Sequence, residues 1–578
     1  MNGLRITEAE LRTFLVQQLE VIDDQEFDRA RSMAGRFKIP LERAVVERNH
    51  IPMRFLMERL AEAWGVDFAD LKPGDVHAPA LRLLREDYAR ARTVMPFGTE
   101  SGRLQLAMAD PRDRRTIAEV EQTVGMPVAP VLAPESAIRR AHLLYHADVR
   151  EMLCRTALEA SSVGPAMTTA DDRSAGDLLQ RVFEYAAVAQ ASDIHVEPYE
   201  FELLIRCRVD GVLQEVLSLP AAMTTPLVAR IKVLAGLRID DRRTPQDGRF
   251  DVDLNGYRLD MRVSTLPTHW GEKAVMRVQS KDSVLVDLED LGLSADDYKT
   301  VLRNVMRPWG MILITGPTGS GKTTSLYSML SRVGAERQNV VNISTVEDPV
   351  EYPLARVNQM PVNPAAGVEF ATGLRALLRQ DPDIIMVGEI RDRETAQIAV
   401  RCALVGRLLL STLHTNDSTG AVPRLLDMEV EPFLVASTLS LIVAQRLVRR
   451  ICVTCRVSVT ADERVLGMLR NRPDFERITE VLRQRGALGR GAEPWAGVRF
   501  FKGQGCPQCN GSGFRGRIGV FELYEIDADA RTRIMERASA AALREAALAR
   551  GMTTMFQDGL TKALLGDTTM DEVFRVAL

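Results

Sequence analysis

Four short apolar runs, Met311–Thr315, Val340–Val346, Ile384–Val387 and Leu408–Thr412, carry few polar residues and are separated by stretches long enough to hold helices. Nearly continuous runs of this length suit the strands of a parallel sheet covered on both faces. Ahead of them the pattern changes to alternation. Phe250, Val252 and Leu254 lead to Asn255-Gly256, and Tyr257, Leu259, Met261 and Val263 continue the alternation beyond it, which predicts an antiparallel hairpin. Leu203 to Val209 followed by Asp210-Gly211 predicts a second hairpin. Period two sets Arg258, Asp260 and Arg262 on the face opposite the apolar residues, and in Lys273 to Val278 it sets Arg277 across from Ala274, Met276 and Val278. Nearer the start, Leu11, Phe14, Leu15 and Leu19 recur at helical spacing, as do Phe55, Leu56, Leu60 and Ala63, before a strand-like run at Leu104–Met108. Small and polar residues dominate from Glu159 to Gly176, where periodicity is lost, and 148–174 reads as a linker.

The fold class expected is therefore α/β multidomain. Its units are 1–147, a second unit 175–285, an alternating strand–helix unit 286–450, a cysteine-bearing segment 451–514 and a C-terminal helical part 515–578. A chain of 578 residues has room for about three or four domains.

One loop changes the picture from architecture to chemistry. Gly316-Pro317-Thr318-Gly319-Ser320-Gly321-Lys322-Thr323 is a complete GxxxxGK[ST] phosphate loop, preceded by an apolar strand and followed from Thr324 by a helical pattern. Its glycines let backbone N–H groups turn inward around a triphosphate. Lys322 can reach the β- and γ-phosphate oxygens, and the Thr323 hydroxyl can ligate Mg²⁺. The other apolar runs carry polar residues just past their C-terminal ends, where open α/β sheets bind ligands: Glu347-Asp348, Gly388-Glu389 and His414. ATP and Mg²⁺ are the expected ligands. Glu389 and Glu347 are rival candidates for the carboxylate that polarises the attacking water, and the sequence leaves that choice open. Arg262 and Arg277 are candidates for the positive charge that phosphoryl transfer needs in the transition state.

Composition narrows the partners. A formal net charge of −4 and only 5% aromatic residues give no basic surface and few stacking platforms, which argues against nucleic acid. The start of the chain has no apolar signal core, and the longest apolar stretch, Phe433 to Ala444, is too short to span a bilayer. A cytosolic protein that reaches a membrane through partners is expected. Cys154, Cys207 and Cys402 are scattered and read as buried small residues. Cys452, Cys455, Cys506 and Cys509 form two CxxC pairs, the ligand set of a structural Zn²⁺ site. Leu466, Leu469, Phe475, Ile478, Val481 and Leu482 put helix between them.

These motifs resemble those of the type II secretion and type IV pilus assembly ATPases. The resemblance is carried by Ala191–Pro198 (Ala-Ser-Asp-Ile-His-Val-Glu-Pro), Arg243–Arg249, Arg262–Thr268 with Gly271–Lys273, and the phosphate loop. It continues through Thr345–Glu351 (the aspartate box), Leu378–Asp392, Leu410–Asp417 (the histidine box) and Ala444–Arg449. It implies a PAS-like unit joined to a RecA-like ATPase, with Arg262 and Arg277 as arginine fingers and a tetracysteine zinc subdomain. It implies a homohexamer that hydrolyses ATP to drive addition of pilin-like subunits through an inner-membrane platform protein. The first unit would dock a membrane-anchored partner. Cyclic di-GMP is not expected, because Leu19 and Asn49 stand where relatives that bind it carry glycine. One departure is Val405-Gly406-Arg407, where the family usually has Thr-Gly-His. Two other readings are a nucleotide-controlled scaffold with little turnover and a RecA-like nucleic-acid translocase.

Overall fold

A computed structural model of the chain describes residues 6–19, 21–37, 41–49, 51, 53–71, 75–146, 170–254, 257–280, 286–337, 340–489, 494–495, 497–509 and 511–577. By internal contact the chain divides into two units. One comprises Met1–Val21, Ala34–Arg43 and Met53–Val284, the other Ile22–Met33, Ala44–Pro52 and Leu285–Leu578.

The first unit holds two sheets. The smaller has the strand order Asp67–Phe68, Val128–Leu132, Arg103–Met108, Val94–Glu100, with Leu104, Leu106, Val131 and Leu132 in its core. The helix Met53–Trp64 buries Leu56 and Leu60, as their spacing predicts. The larger sheet is antiparallel, with the order Val212–Pro220, Glu202–Val209, Asp193–Pro198, Gly271–Ser280, Tyr257–Thr268, Gln246–Leu254. Alternation decides which of its faces is covered. Ile194, Val196, Ile205, Met261 and Met276 pack with Leu178, Val182, Phe183, Leu227 and Ile231 from the helices Ala170–Val188 and Thr224–Leu234. At the first hairpin Asp210 and Gly211 have φ of 49° and 83°, the paired positive values that a two-residue type I′ turn requires. The apex of the second hairpin, Asn255-Gly256, lies outside the described residues.

The linker expected at 148–174 needs correction at its end. Residues 147–169 lie outside the described set, but helix begins at Ala170. Leu178, Leu179, Val182, Phe183 and Ala186 recur along one face of this helix, and their burial outweighs the low-complexity start.

The second unit is built on a seven-stranded sheet ordered Val357–Pro361, Ile343–Glu347, Ile384–Val387, Leu408–Leu413, Gly310–Thr315, Leu439–Ile451, Phe514–Glu525. All neighbours are parallel except the last pair. Every residue of Gly310–Thr315 is buried, and its side chains divide between two cores. Ile312 and Ile314 pack with Leu326, Leu330 and Val333 of the helix Lys322–Glu336, while Met311 and Leu313 pack with Leu374, Val400 and Val435 on the other face. This two-sided burial is why the run shows no alternation.

Two expectations change here, at Val340 and in the C-terminal part, and the longest apolar stretch takes its structure. Val340 is 82% exposed and the strand begins only at Ile343, because the residues before it run over the surface. The stretch Phe433–Ala444 is a helix–strand junction, Pro432–Thr438 giving way to the long strand Leu439–Ile451. The C-terminal part is not all helical: Phe514–Glu525 pairs antiparallel with that strand before the helices Ala528–Met535, Ala540–Ala549, Met555–Leu565 and Met570–Ala577. The segment between the cysteine pairs forms the helices Glu463–Arg470 and Phe475–Gln484, flanked by a two-stranded antiparallel sheet of Arg456–Thr460 and Arg499–Gly503. Leu466, Leu469, Ile478 and Leu482 bury there against Phe556 and Leu560.

Candidate functional site

The phosphate loop joins the buried strand Gly310–Thr315 to the helix Lys322–Glu336. Two of its glycines are fixed by close approach. A Cβ on Gly316 (φ 149°) would lie 2.5 Å from the Gln445 carbonyl oxygen, and one on Gly321 (φ 88°) would lie 2.9 Å from the Gln445 amide. Pro317, Thr318 and Gly319 are exposed, and Thr323 and Thr324 are half-buried in the first helical turn. Lys322 Nζ donates to the carbonyls of Gly316 and Pro317 at 2.8 and 3.0 Å. Burial pushes its pKa below the ordinary lysine value, opposed by the Glu389 carboxylate and reinforced by Arg446. Ser320 Oγ is buried with no hydrogen-bond partner among the described residues. An unpartnered buried hydroxyl beside a partly desolvated ammonium fits a phosphate chain, which would satisfy both.

The strand ends divide into two groups. Glu389 lies two residues past Ile384–Val387, where His414 Nε2 approaches its Oε2 at 3.1 Å and Arg391 forms an ion pair with it. Asp348 is exposed and contributes to holding the Arg391 guanidinium protonated, behind the larger effect of Glu389 itself. Glu389, His414 and Arg391 thus form one cluster past the C-terminal ends of neighbouring strands, with Lys322 within electrostatic reach of Glu389.

Glu347 does not join them. It is the last residue of its strand, 2% exposed, and both carboxylate oxygens are occupied. Tyr327 donates to one. Thr345 Oγ1 and Gln359 Nε2 donate to the other at 2.5 and 3.1 Å. Burial, then the facing Glu347 carboxylate, pushes the Tyr327 hydroxyl pKa far up, so Tyr327 stays a donor. The same hydroxyl accepts the Glu351 N–H at 3.4 Å, and Glu351 is half-buried on the loop beyond.

In the first unit Arg262 and Arg277 are directly opposite one another on neighbouring strands. Register extends this into a row across five strands: Arg208, Asp193, Arg277, Arg262, Arg249. Asp193 lies 3.5 Å from Arg277 and 3.4 Å from Arg208, and buried Asp260 takes Arg249 through two bonds of 2.6 Å. Carboxylates thus pair with three of the guanidinium groups, and Arg262 stands directly opposite like charges, Arg277 and Arg249, on both neighbouring strands.

The four cysteines converge. Their ligand atoms lie within 4.8 Å of one another, with Cys452–Cys506 and Cys455–Cys509 at 3.8 Å and Cys506–Cys509 at 3.7 Å. Sulfurs on a tetrahedron around zinc at about 2.3 Å stand about 3.8 Å apart, so the spacing of these three pairs is compatible with Zn²⁺. The N–H groups of Cys506 and Gly513 each point at Cys509 Sγ at 3.2 Å. Against the upward push of burial, these donors hold its thiol at about 7. Cys207 and Cys402 are buried, as expected, and Cys154 lies outside the described residues.

Sequence reasoning missed Tyr327, Glu351, Gln445 and Arg446. Ala444–Arg449 was recognised as a motif, but nothing in its pattern shows that the strand carrying it lies beside the phosphate loop. Among the described residues no helix is long and apolar enough to cross a membrane.

Comparison with known proteins adds to this geometry. The family profile described as "Type II/IV secretion system protein" matches residues 168–575, and that of the MshEN domain matches 64–148. The chain is 39% identical over 543 residues to the type IV pilus assembly ATPase PilB of Thermus thermophilus, covering 92% of this chain but only 58% of that protein. It is 40% identical over 521 residues to type II secretion system protein E of Dickeya dadantii, covering 87% of this chain and 98% of that one. Among solved structures, the ATPase DotB of Legionella pneumophila aligns with 72% of this chain and 98% of its own at 18% identity and a TM-score of 0.49.

Proposed function

The chain belongs to the Type II/IV secretion system protein family, and from that premise we propose that it is a Mg²⁺-dependent ATPase. In this reading it is the motor of a type II secretion or type IV pilus assembly machine. The observation that carries it is the convergence of Lys322, Glu389 and His414 at the C-terminal ends of adjacent parallel strands.

Lys322 and the loop amides hold the phosphates, Lys322 exchanging its two carbonyl acceptors for phosphate oxygens. The Thr323 hydroxyl and the Glu389 carboxylate, directly or through a water, are the donors suited to Mg²⁺. That ion would neutralise charge on the phosphate oxygens. Glu389 is the acid proposed to polarise the attacking water. It is half-buried, with Arg391 on one carboxylate oxygen and His414 on the other, and His414 lies where it can orient it. Glu347 is proposed to act structurally, with Glu351 as the second acid of the aspartate box near the cleft. Arg262 and Arg277 are proposed as the cations that stabilise the transition state, consistent with their standing directly opposite one another. Cys452, Cys455, Cys506 and Cys509 are proposed to hold a structural Zn²⁺.

The larger assembly follows from the family: a homohexameric ring with a RecA-like ATPase core and a PAS-like unit before it. An inner-membrane platform protein would receive the motion, and a membrane-anchored protein would dock the first unit. The test is phosphate release by the purified full-length chain with ATP. Release that needs Mg²⁺ and is unchanged by DNA or RNA at low salt is expected. Negligible release would favour a nucleotide-controlled scaffold, and stimulation by nucleic acid would favour a translocase.

A further inference from the structure

The strand Leu439–Ile451 runs parallel to the phosphate-loop strand, with Ala444 level with Thr315. Arg446 lies two residues beyond that last pair, where the neighbouring strand has ended and the phosphate loop begins. Its neighbours face the loop from one side of the strand. Gln445 Oε1 accepts from Ser325 Oγ at 2.7 Å, and a Cβ on Gly321 would meet the Leu447 side chain at 3.4 Å. Arg446 lies on the other side, where Nη2 makes two long bonds to Asn416, 3.4 Å to the carbonyl and 3.3 Å to Oδ1.

The rest of the guanidinium is poorly satisfied. Arg446 Nη1 is buried and has no hydrogen-bond partner among the described residues. Burial lowers the Arg446 pKa, with Asp417 as the opposing charge. Lys322 in turn feels Arg446 as a repelling cation. Among the described residues these two cations have only carbonyls and a side-chain amide as hydrogen-bond acceptors, and Arg446 keeps a buried N–H₂ group without a partner. Glu389 and Asp417 are opposing charges not bonded to them. That arrangement costs free energy until an anion bridges it.

We propose that Arg446 contacts the γ-phosphate of ATP bound to its own phosphate loop, exchanging the Asn416 contact for a phosphate oxygen. Arg446 is then a γ-phosphate sensor supplied by the same chain. Asn416 is the residue it releases, in the loop whose Asp417 carbonyl accepts from Thr315 Oγ1 at 3.3 Å. This inference rests on the triphosphate reading of the loop.

The test measures equilibrium binding of ADP and of a non-hydrolysable ATP analogue to the full-length chain, its Arg446→Gln and Arg446→Lys variants, and Lys322→Ala. Arg446→Gln should bind the analogue about tenfold or more weakly, as expected for loss of one charge-assisted contact. ADP affinity should stay near wild type, which also shows that the variant is folded. Arg446→Lys should fall between, and Lys322→Ala should lose both ligands. Unchanged analogue affinity in Arg446→Gln, or an equal loss of ADP and analogue, would overturn the assignment. If Lys322→Ala kept both affinities, the nucleotide reading of the loop would itself fall, taking the Arg446 assignment with it.

Discussion

Ile343–Glu347 and Ile384–Val387 are neighbouring parallel strands, and each leads to a glutamate near its C-terminal end. The two acids have opposite surroundings. Glu347 belongs to the last rung of its strand, so its side chain turns into the layer beneath the helix Lys322–Glu336 and is sealed by Tyr327, Thr345 and Gln359. Glu389 follows Gly388, where the chain leaves the sheet. A Cβ on Gly388 would meet the Val346 carbonyl at 3.4 Å. One step beyond that close approach, the carboxylate reaches Arg391 and His414, with Lys322 within electrostatic reach. In the proposed reading, a strand-end position and the right residue type do not by themselves select the catalytic acid. Clearance from the last rung decides whether water and phosphate can reach it.

The largest expected effect is at the Glu389 end. Lys322→Ala should weaken ATP binding by about a hundredfold or more, since it removes a charge-assisted contact and the only ammonium of the loop. Unchanged affinity by calorimetry would break the comparison by removing the ligand from it. Next comes the cysteine cluster, which is also defined by what its ligands exclude. Cys506→Ser should abolish stoichiometric zinc in elemental analysis and unfold the surrounding segment at lower temperature. Full zinc retention would refute the ligand set.

Glu347→Gln probes the sealed end. It should lower stability by about 2–3 kcal/mol, because a buried acceptor is lost and an amide N–H₂ now faces either the Tyr327 hydroxyl or the Thr345 and Gln359 donors. A smaller effect is expected at Glu572, another sealed acid, which Arg449 and Arg575 bind. Burial raises its pKa, but these two arginines prevail and hold it at about 2, against 4.5 when unperturbed. Because the folded value is the lower one, the stabilisation is complete above about pH 4.5 and is lost as pH falls through about 2. The difference in thermal midpoint between wild type and Glu572→Gln should thus be largest near neutrality and shrink below pH 4.5. A difference that grew on acidification would contradict the pairing.

The core strands and both hairpins were legible because burial on one face or two leaves a direct imprint on the apolar pattern. The phosphate loop was legible because glycine, lysine and threonine are each forced by the ligand. What escaped was long-range. Phe514–Glu525 finds its partner some seventy residues earlier in the chain, and no local period announces such a pairing. The burial of Glu347 depends on Tyr327 and Gln359, which lie 20 and 12 residues away in sequence. The reach of Arg446 depends on which strand neighbours the loop. The family motifs mark these segments without saying which of their residues face the ligand.

In the proposed reading, chemistry occurs at the Glu389 strand end and not at the sealed Glu347 one. The most direct measurement is phosphate release at saturating ATP and Mg²⁺ by Glu389→Gln and Glu347→Gln, each checked for folding by its thermal midpoint. The account predicts that Glu389→Gln loses about a hundredfold or more in turnover while still binding ATP, and that folded Glu347→Gln releases phosphate near the wild-type rate. The reverse pattern, with turnover surviving at Glu389→Gln and lost at Glu347→Gln, would contradict it.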